Sequence, residues 1–386
     1  MKKQFLFLLL TLYTFSLSGA TKDSVSTFFD KQNTNVYWVI VSVGSGKMED
    51  ASQEASVFHV RGIGSQAVRD SRYLGYEIKF AVQPTSGLFA SLYRFPKYGV
   101  GVFLGDFHNP NIGYPIAVYG WAEAPFTRFH KLQKFTFGLG GKGGVAFNFN
   151  PYDKKSNPTN IFIGSSTNYI ASLYLFGDYR VSRHLCLGLD GGFLHFSNSG
   201  WKQPNIGVNI FAVSTSLKYQ INPLTERIVQ PIPKYAKHWK MDVKMAVGRK
   251  QNGLDTPYSY KWLIAATPML QLSHAHSIGA GMEATLSLGR KDDGSQRTTM
   301  RDVVSPSAVA CWDWFLTAKF ATHLGAGGYL FPNNTENGEQ YRGYAQVGVK
   351  YYLSPHVWTG VFVKGHTNLS HIISHFSEFT VGYTLR

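Results

Sequence analysis

His195 and Ser197 lie two residues apart in the segment Leu194-His195-Phe196-Ser197-Asn198-Ser199-Gly200-Trp201-Lys202-Gln203-Pro204-Asn205-Ile206-Gly207-Val208-Asn209. In an extended strand alternate side chains share a face, so the imidazole and the hydroxyl point the same way and fall within hydrogen-bond reach. A serine beside a histidine that can take its proton is the minimum apparatus for nucleophilic attack on an ester carbonyl. Surface strands also carry such pairs without chemistry, so the setting of this one decides its meaning.

The flanking strands supply the setting. Leu185, Leu187, Leu189, Gly191 and Phe193 precede His195 at odd positions, whereas Cys186, Gly188 and Asp190 fall at even ones. On the return, Gly207, Asn209, Phe211, Val213, Thr215, Leu217 and Tyr219 alternate with Ser214, Ser216 and Lys218. His195, Ser197 and Asn209 therefore continue one apolar face. A hairpin centred near Trp201 to Gln203 places Asn209 opposite His195, where its amide could orient the imidazole as the third member of a triad.

The rest of the chain reads as the support for such a hairpin. Residues 1–20 have the form of a secretory leader: Lys2 and Lys3, an apolar run from Phe5 to about Leu17, then Ser18-Gly19-Ala20 as a cleavage site. No Cys follows that site to carry a lipid anchor, and no later stretch approaches the roughly 18 apolar residues of a membrane helix. What remains is rich in Tyr, Phe and Gly, is only 16% charged, and breaks into alternating segments of about ten residues, the pattern of an outer-membrane β-barrel. Near the C-terminus Ala345, Val347, Val349, Tyr351 and Leu353 alternate with Tyr344, Gln346, Gly348, Lys350 and Tyr352. Phe379, Val381, Tyr383 and Leu385 alternate in the same way with Glu378, Thr380, Gly382 and Thr384, apolar toward lipid and polar toward a lumen. Tight turns are expected at Val181-Ser182-Arg183-His184, Thr322-His323 and Leu353-Ser354-Pro355-His356. If turns of that kind face the periplasm, the loop from Ser197 to Asn205 lies at the external end.

The expected fold is all-β, an antiparallel transmembrane barrel of about sixteen strands, with roughly eight before residue 222 and eight after 238. Prolines in the connection 222–238 (Pro223, Pro231, Pro233) forbid a central strand there. The division is therefore 21–221, a connection, and 239–386, and the halves read as degenerate repeats. His184-Leu185-Cys186-Leu187-Gly188 matches His356-Val357-Trp358-Thr359-Gly360, and His366-Thr367-Asn368 falls near the place of His195-Phe196-Ser197 without the serine. One barrel or two tandem eight-stranded barrels both fit. Gln346, Lys350 and Glu378 would be easier to hydrate in a wide lumen, which favours one barrel.

The net charge is +15, or +13 once Lys2 and Lys3 leave with the leader. In a secreted membrane barrel that suggests an anionic lipid surface rather than nucleic acid. Cys186 and Cys311 are too few for a disulfide framework. Gly140-Gly141 and Gly143-Gly144 lack the lysine and helix of a phosphate loop. The histidines show no metal-ligand spacing, and His274 and His276 are expected in a solvated turn. No metal or cofactor is expected.

The segment His195-Phe196-Ser197-Asn198-Ser199-Gly200-Trp201-Lys202-Gln203-Pro204-Asn205-Ile206-Gly207 closely resembles the active-site hairpin of the outer-membrane lipid A 3-O-deacylase family. That resemblance implies an eight-stranded barrel with the site on the outer wall of its last hairpin, cutting an ester-linked acyl chain from lipopolysaccharide. It implies Ser197 as nucleophile and His195 as base, with Asn205 and the Gly200 amide as oxyanion-hole donors; Asn198 and Lys202 would lie at the substrate. It covers about residues 184–221 and implies nothing direct about 239–386. The family commonly has Glu where this chain has Asn209, so here a neutral amide would hold the ring. The same His-x-Ser-Asn opening is also similar to outer-membrane phospholipase A, a calcium-dependent barrel esterase; the absence of Asp or Glu from Asn198 to Ile210 argues against calcium. A pore or adhesin that kept the hairpin is the non-enzymatic alternative, and an open polar lumen would mark it.

Overall fold

A computed structural model describes residues 35–48, 71–127, 134–222, 227–251, 253–289, 291, 294–331, 343–368 and 371–386, the side chains of 366–368 and 371–375 excepted. The expected leader lies outside the described residues. Among the described residues, sixteen antiparallel strands follow one another in chain order and close into two separate barrels of eight. The first runs from β1 (Asn35–Met48) to β8 (Val208–Gln220), whose mutual pairing seals it. The second runs from β9 (His238–Gln251) to β16 (His371–Leu385) and closes in the same manner.

The single wide barrel is thus not the form adopted, and its tandem alternative is. The polar residues that argued for a wide lumen are matched by partners across a narrow one. Lys350 lies 3.0 Å from Asp242 and 2.7 Å from Asp313, Lys364 lies 2.8 Å from Glu283, and Gln346 donates to Glu378 at 2.9 Å. The first lumen is built alike: Lys218 is 2.7 Å from Asp178 and 3.0 Å from Glu123, Lys97 is 2.6 Å from Asp178, and Lys142 pairs with Glu77. Eight strands leave an interior that side chains can fill, and opposite charges that neutralise one another make such a filling tolerable without bulk water.

The outer faces are apolar as the alternation requires. Val347, Val349, Tyr351, Phe379, Val381 and Tyr383 are exposed, while Gln346, Lys350, Glu378 and Thr380 between them are buried. Apolar belts around barrels without open edges are the form in which strands cross an outer membrane. The chain is an outer-membrane barrel protein.

The repeat seen in the sequence is a repeat of structure. Ser182 Oγ accepts from the N–H groups of His184 and Leu185, and Ser354 Oγ from those of His356 and Val357. His184 Nδ1 lies 2.9 Å from the Gln220 carbonyl and stacks on Tyr219; His356 Nδ1 lies 2.9 Å from the Thr384 carbonyl and stacks on Tyr383. Thr322-His323, however, is not a turn. It lies within β13 (Phe320–Tyr329), where His323 points into the lumen and its Nδ1 sits 2.6 Å from Asp313.

The barrels touch at the end of the short turns. Helix α1 (Leu88–Leu92) ends at Tyr93, whose hydroxyl donates to the Phe315 carbonyl and accepts from Trp314 Nε1 at 2.8 Å, both residues belonging to β12 (Val304–Phe315). Burial there pushes the Tyr93 hydroxyl up to about 12, which keeps it a neutral group able to give and take a hydrogen bond.

Candidate active site

Strands β7 (Leu185–Ser197) and β8 form a regular ladder in which His195 stands directly opposite Asn209. His195 Nδ1 is 2.6 Å from Asn209 Oδ1, and His195 Nε2 is 2.8 Å from Ser197 Oγ. With the amide oxygen accepting from Nδ1–H, the neutral ring presents the Nε2 lone pair to the hydroxyl, the tautomer that a general base needs. The three residues expected to form a triad are brought together as one hydrogen-bonded chain.

The face is the outer one. Leu187, Leu189, Phe211 and Val213 on the same side of the hairpin are each more than half exposed. His195 lies parallel over Phe193 at 6.3 Å, and Phe193 packs on Phe211 at 5.5 Å, so an aromatic shelf leads from the apolar belt to the imidazole. On the other side of the strand Phe196 anchors the hairpin in the core against Phe103 and Phe149.

Gly207 sets how closely the return strand approaches the pair. Its φ is +84°, a region that L side chains avoid, and a Cβ there would stand 2.9 Å from His195 Cε1 and 3.4 Å from Ser197 Cβ. Its N–H donates to the carbonyl of Phe162 at 3.0 Å. Phe162 lies in the loop between β5 (Phe135–Phe149) and β6 (Asn168–Arg180), with Ile161 and Ile163 beside it also buried. Buried Asn160 fixes this loop by donating to the carbonyls of Asn111 and Asn150 and accepting from Ile163 N–H.

Residues 198–206 fold back over the strand ends. Asn198 N–H donates to Asn205 Oδ1 at 2.9 Å, which fixes the orientation of the Asn205 amide and leaves its Nδ2 without an acceptor among the described residues. The Gly200 N–H likewise has no acceptor among them. Two donors without an acceptor among the described residues thus sit on the loop that follows Ser197, the kind of group an oxyanion site uses. Asn198 itself is fully buried, with its amide closing the loop on the N–H and carbonyl of Lys202. It holds the loop and offers no free polar atom to a substrate. The Lys202 side chain is exposed.

In the second barrel the corresponding hairpin joins β15 (Val357–Asn368) and β16, and His366 stands opposite Ile373. Neither a serine two residues on nor an amide across the ladder is present, since Asn368 and Ile373 occupy those places.

Residues 239–386 match the family model described as acyloxyacyl hydrolase, C-terminal domain. It is that segment of the chain that is similar to the acyloxyacyl hydrolases. The match falls on the barrel for which the hairpin resemblance implied nothing, and the hydrogen-bonded triad falls on the other barrel. No curated protein matches the chain. Among solved structures, OccK11 (OpdR) of Pseudomonas aeruginosa is 10% identical, with 91% of this chain and 96% of that chain covered and a TM-score of 0.22. Outer membrane phospholipase A from Escherichia coli is 13% identical, with 91% and 90% covered and a TM-score of 0.20. Superpositions that distant carry nothing about the site.

Gly207 has no assigned part in the sequence motif, although a glycine two residues before Asn209 is the available signal of a close backbone approach. The support from Phe162 and Asn160 had no local signal, because those residues reach the hairpin only through the folded loop.

Proposed function

We propose that the protein is an outer-membrane serine esterase that removes an ester-linked acyl chain from lipid A. The observation that carries this reading is the chain of hydrogen bonds from Asn209 through His195 to Ser197 on the lipid-facing wall of the first barrel. Ser197 Oγ attacks the acyl carbonyl while His195 Nε2 takes its proton; the oxyanion is received by the Gly200 N–H and Asn205 Nδ2. Collapse expels the sugar or acyl alkoxide, which regains the proton from His195, and water deacylates the serine by the same route. Asn209 keeps the ring in place and in its reactive tautomer. An acyl chain lying along Phe193 and Phe211 would reach the serine without leaving the bilayer. The net charge of +15 suits a surface of anionic lipopolysaccharide. A pore is the less favoured reading, since matched charges fill both lumens.

The test is mass spectrometry of lipid A from cells with the protein, with Ser197→Ala, and without it. Loss of one acyl chain only with the intact serine is the expected result. Unchanged lipid A in all three, or equal deacylation by the alanine variant, would reject the reading.

A further inference from the structure

The loop bearing the two free donors is gripped by the other barrel. Gln251, the last residue of β9, accepts from the Gln203 N–H through Oε1 at 2.9 Å and donates its own backbone N–H to the Gly200 carbonyl at 2.9 Å. Its Nε2 donates to the Thr256 carbonyl at 2.9 Å, so the side chain is itself held at both ends. Trp201, between the two gripped residues, lies 6.1 Å from Phe379 of β16 and 5.4 Å from Tyr169 of β6. Strands β9 and β16 of the second barrel therefore hold three residues of a stretch that the first barrel ties through Asn198, Asn205 and the Tyr169 ring.

We propose that Gln251 is a positioning residue for the oxyanion site: the second barrel, whose matching hairpin has Asn368 instead of a serine two residues after His366, acts as a brace that fixes the Gly200 to Gln203 backbone while Ser197 reacts. The inference rests on the esterase reading for its kinetic consequence, although the brace itself is a property of the fold. A preorganised donor is effective because it need not be ordered during the reaction, and small displacements of such donors are costly. The grip on Gly200 bears on the peptide next to one donor. The grip on Gln203 bears on the segment leading to Asn205, the other donor.

The full chain, folded in detergent, tests this with Gln251→Ala and Gln251→Glu, the latter keeping an acceptor for the Gln203 N–H. Hydrolysis of a short-chain ester should lose at least about tenfold in kcat in Gln251→Ala, less than outright removal of a donor costs. KM should stay close to that of the parent, because the shelf at Phe193 and Phe211 is untouched, and Gln251→Glu should recover part of the loss. Hydrogen exchange at the Gln203 amide should be faster in Gln251→Ala and restored in Gln251→Glu, a readout that does not depend on activity. Parental kcat together with parental exchange at Gln203 would overturn the brace. Faster exchange with parental kcat would overturn its role in positioning. If the parent shows no Ser197-dependent hydrolysis, the esterase reading fails while exchange still decides whether the brace exists.

Discussion

His195 and Asn209 face one another across the β7–β8 ladder with Nδ1 and Oδ1 2.6 Å apart, so the base is oriented by a neutral amide instead of a charge. An amide selects the tautomer and fixes the ring plane, but it adds little to the stability of the imidazolium that forms as Ser197 attacks.

Asn209→Ala is expected to lower kcat by roughly ten- to a hundredfold, part of the range that general base catalysis supplies. Barrel stability should change little, since the residue is half-buried on the outer wall. Asn209→Glu should keep or raise kcat at alkaline pH. Its carboxylate favours the protonated ring, and the base works only when neutral, so the acidic limb of kcat/KM should move to higher pH. Steady-state kinetics across pH check both variants; an Asn209→Ala enzyme as fast as the parent would remove Asn209 from the site.

Gly207→Ala should damage activity and stability together. The left-handed backbone conformation costs an L residue about 1–2 kcal/mol, and the new methyl would stand 2.9 Å from His195 Cε1, so the ring must shift. Loss of about tenfold or more in kcat follows from a misplaced base. A thermal melt followed by heat-modifiable mobility, beside single-turnover hydrolysis, would separate the two effects.

The hairpin was legible in the sequence because strand alternation fixes the face of every residue once one is known. The symmetry of the Ser197 to Asn205 loop then fixed the partner of His195. Closure was harder to read, since Gln346, Lys350 and Glu378 alternate identically whether one lumen or two receives them. The useful signals were the prolines at 223, 231 and 233, which keep β8 from continuing into β9, and the paired histidine turns at His184 and His356. His323 misled because a histidine after a threonine looks like a turn, while its partner Asp313 sits on a neighbouring strand. The grip of Gln251 on Gly200 joins residues from different barrels, and no local pattern announces such a contact.

The ion pairs that fill the first lumen predict a barrel that does not conduct. Lys218 is completely buried between Asp178 and Glu123, and Lys218→Ala would leave these two buried carboxylates to share Lys97 as their one remaining lysine partner, at a cost of about 3–5 kcal/mol. Denaturant unfolding should show that loss. Hydrolysis by the fraction still folded should keep its parental kcat, because the lumen is separated from the outer-wall site by the sheet. Planar-bilayer recordings of the parent should show no stable channel, and steady conductance steps would contradict a filled lumen.

Chelation separates the two esterase families that the hairpin resembles. A calcium site needs about six to eight oxygen ligands, usually with carboxylates among them, yet residues 198–210 contain no Asp or Glu. Among the described residues, no group of three or more His, Cys, Asp or Glu side chains is placed to hold a metal ion. Hydrolysis should therefore proceed unchanged in EDTA and gain nothing from added calcium, since the proposed mechanism assigns the oxyanion to the Gly200 N–H and the Asn205 amide. The measurement is release of fatty acid from purified lipid A and from diacyl phospholipid vesicles in parallel, each with EDTA or calcium. EDTA-resistant release from lipid A in excess of that from phospholipid supports the deacylase assignment; release from phospholipid that stops in EDTA would move the protein to the phospholipases and place a cation beside Ser197.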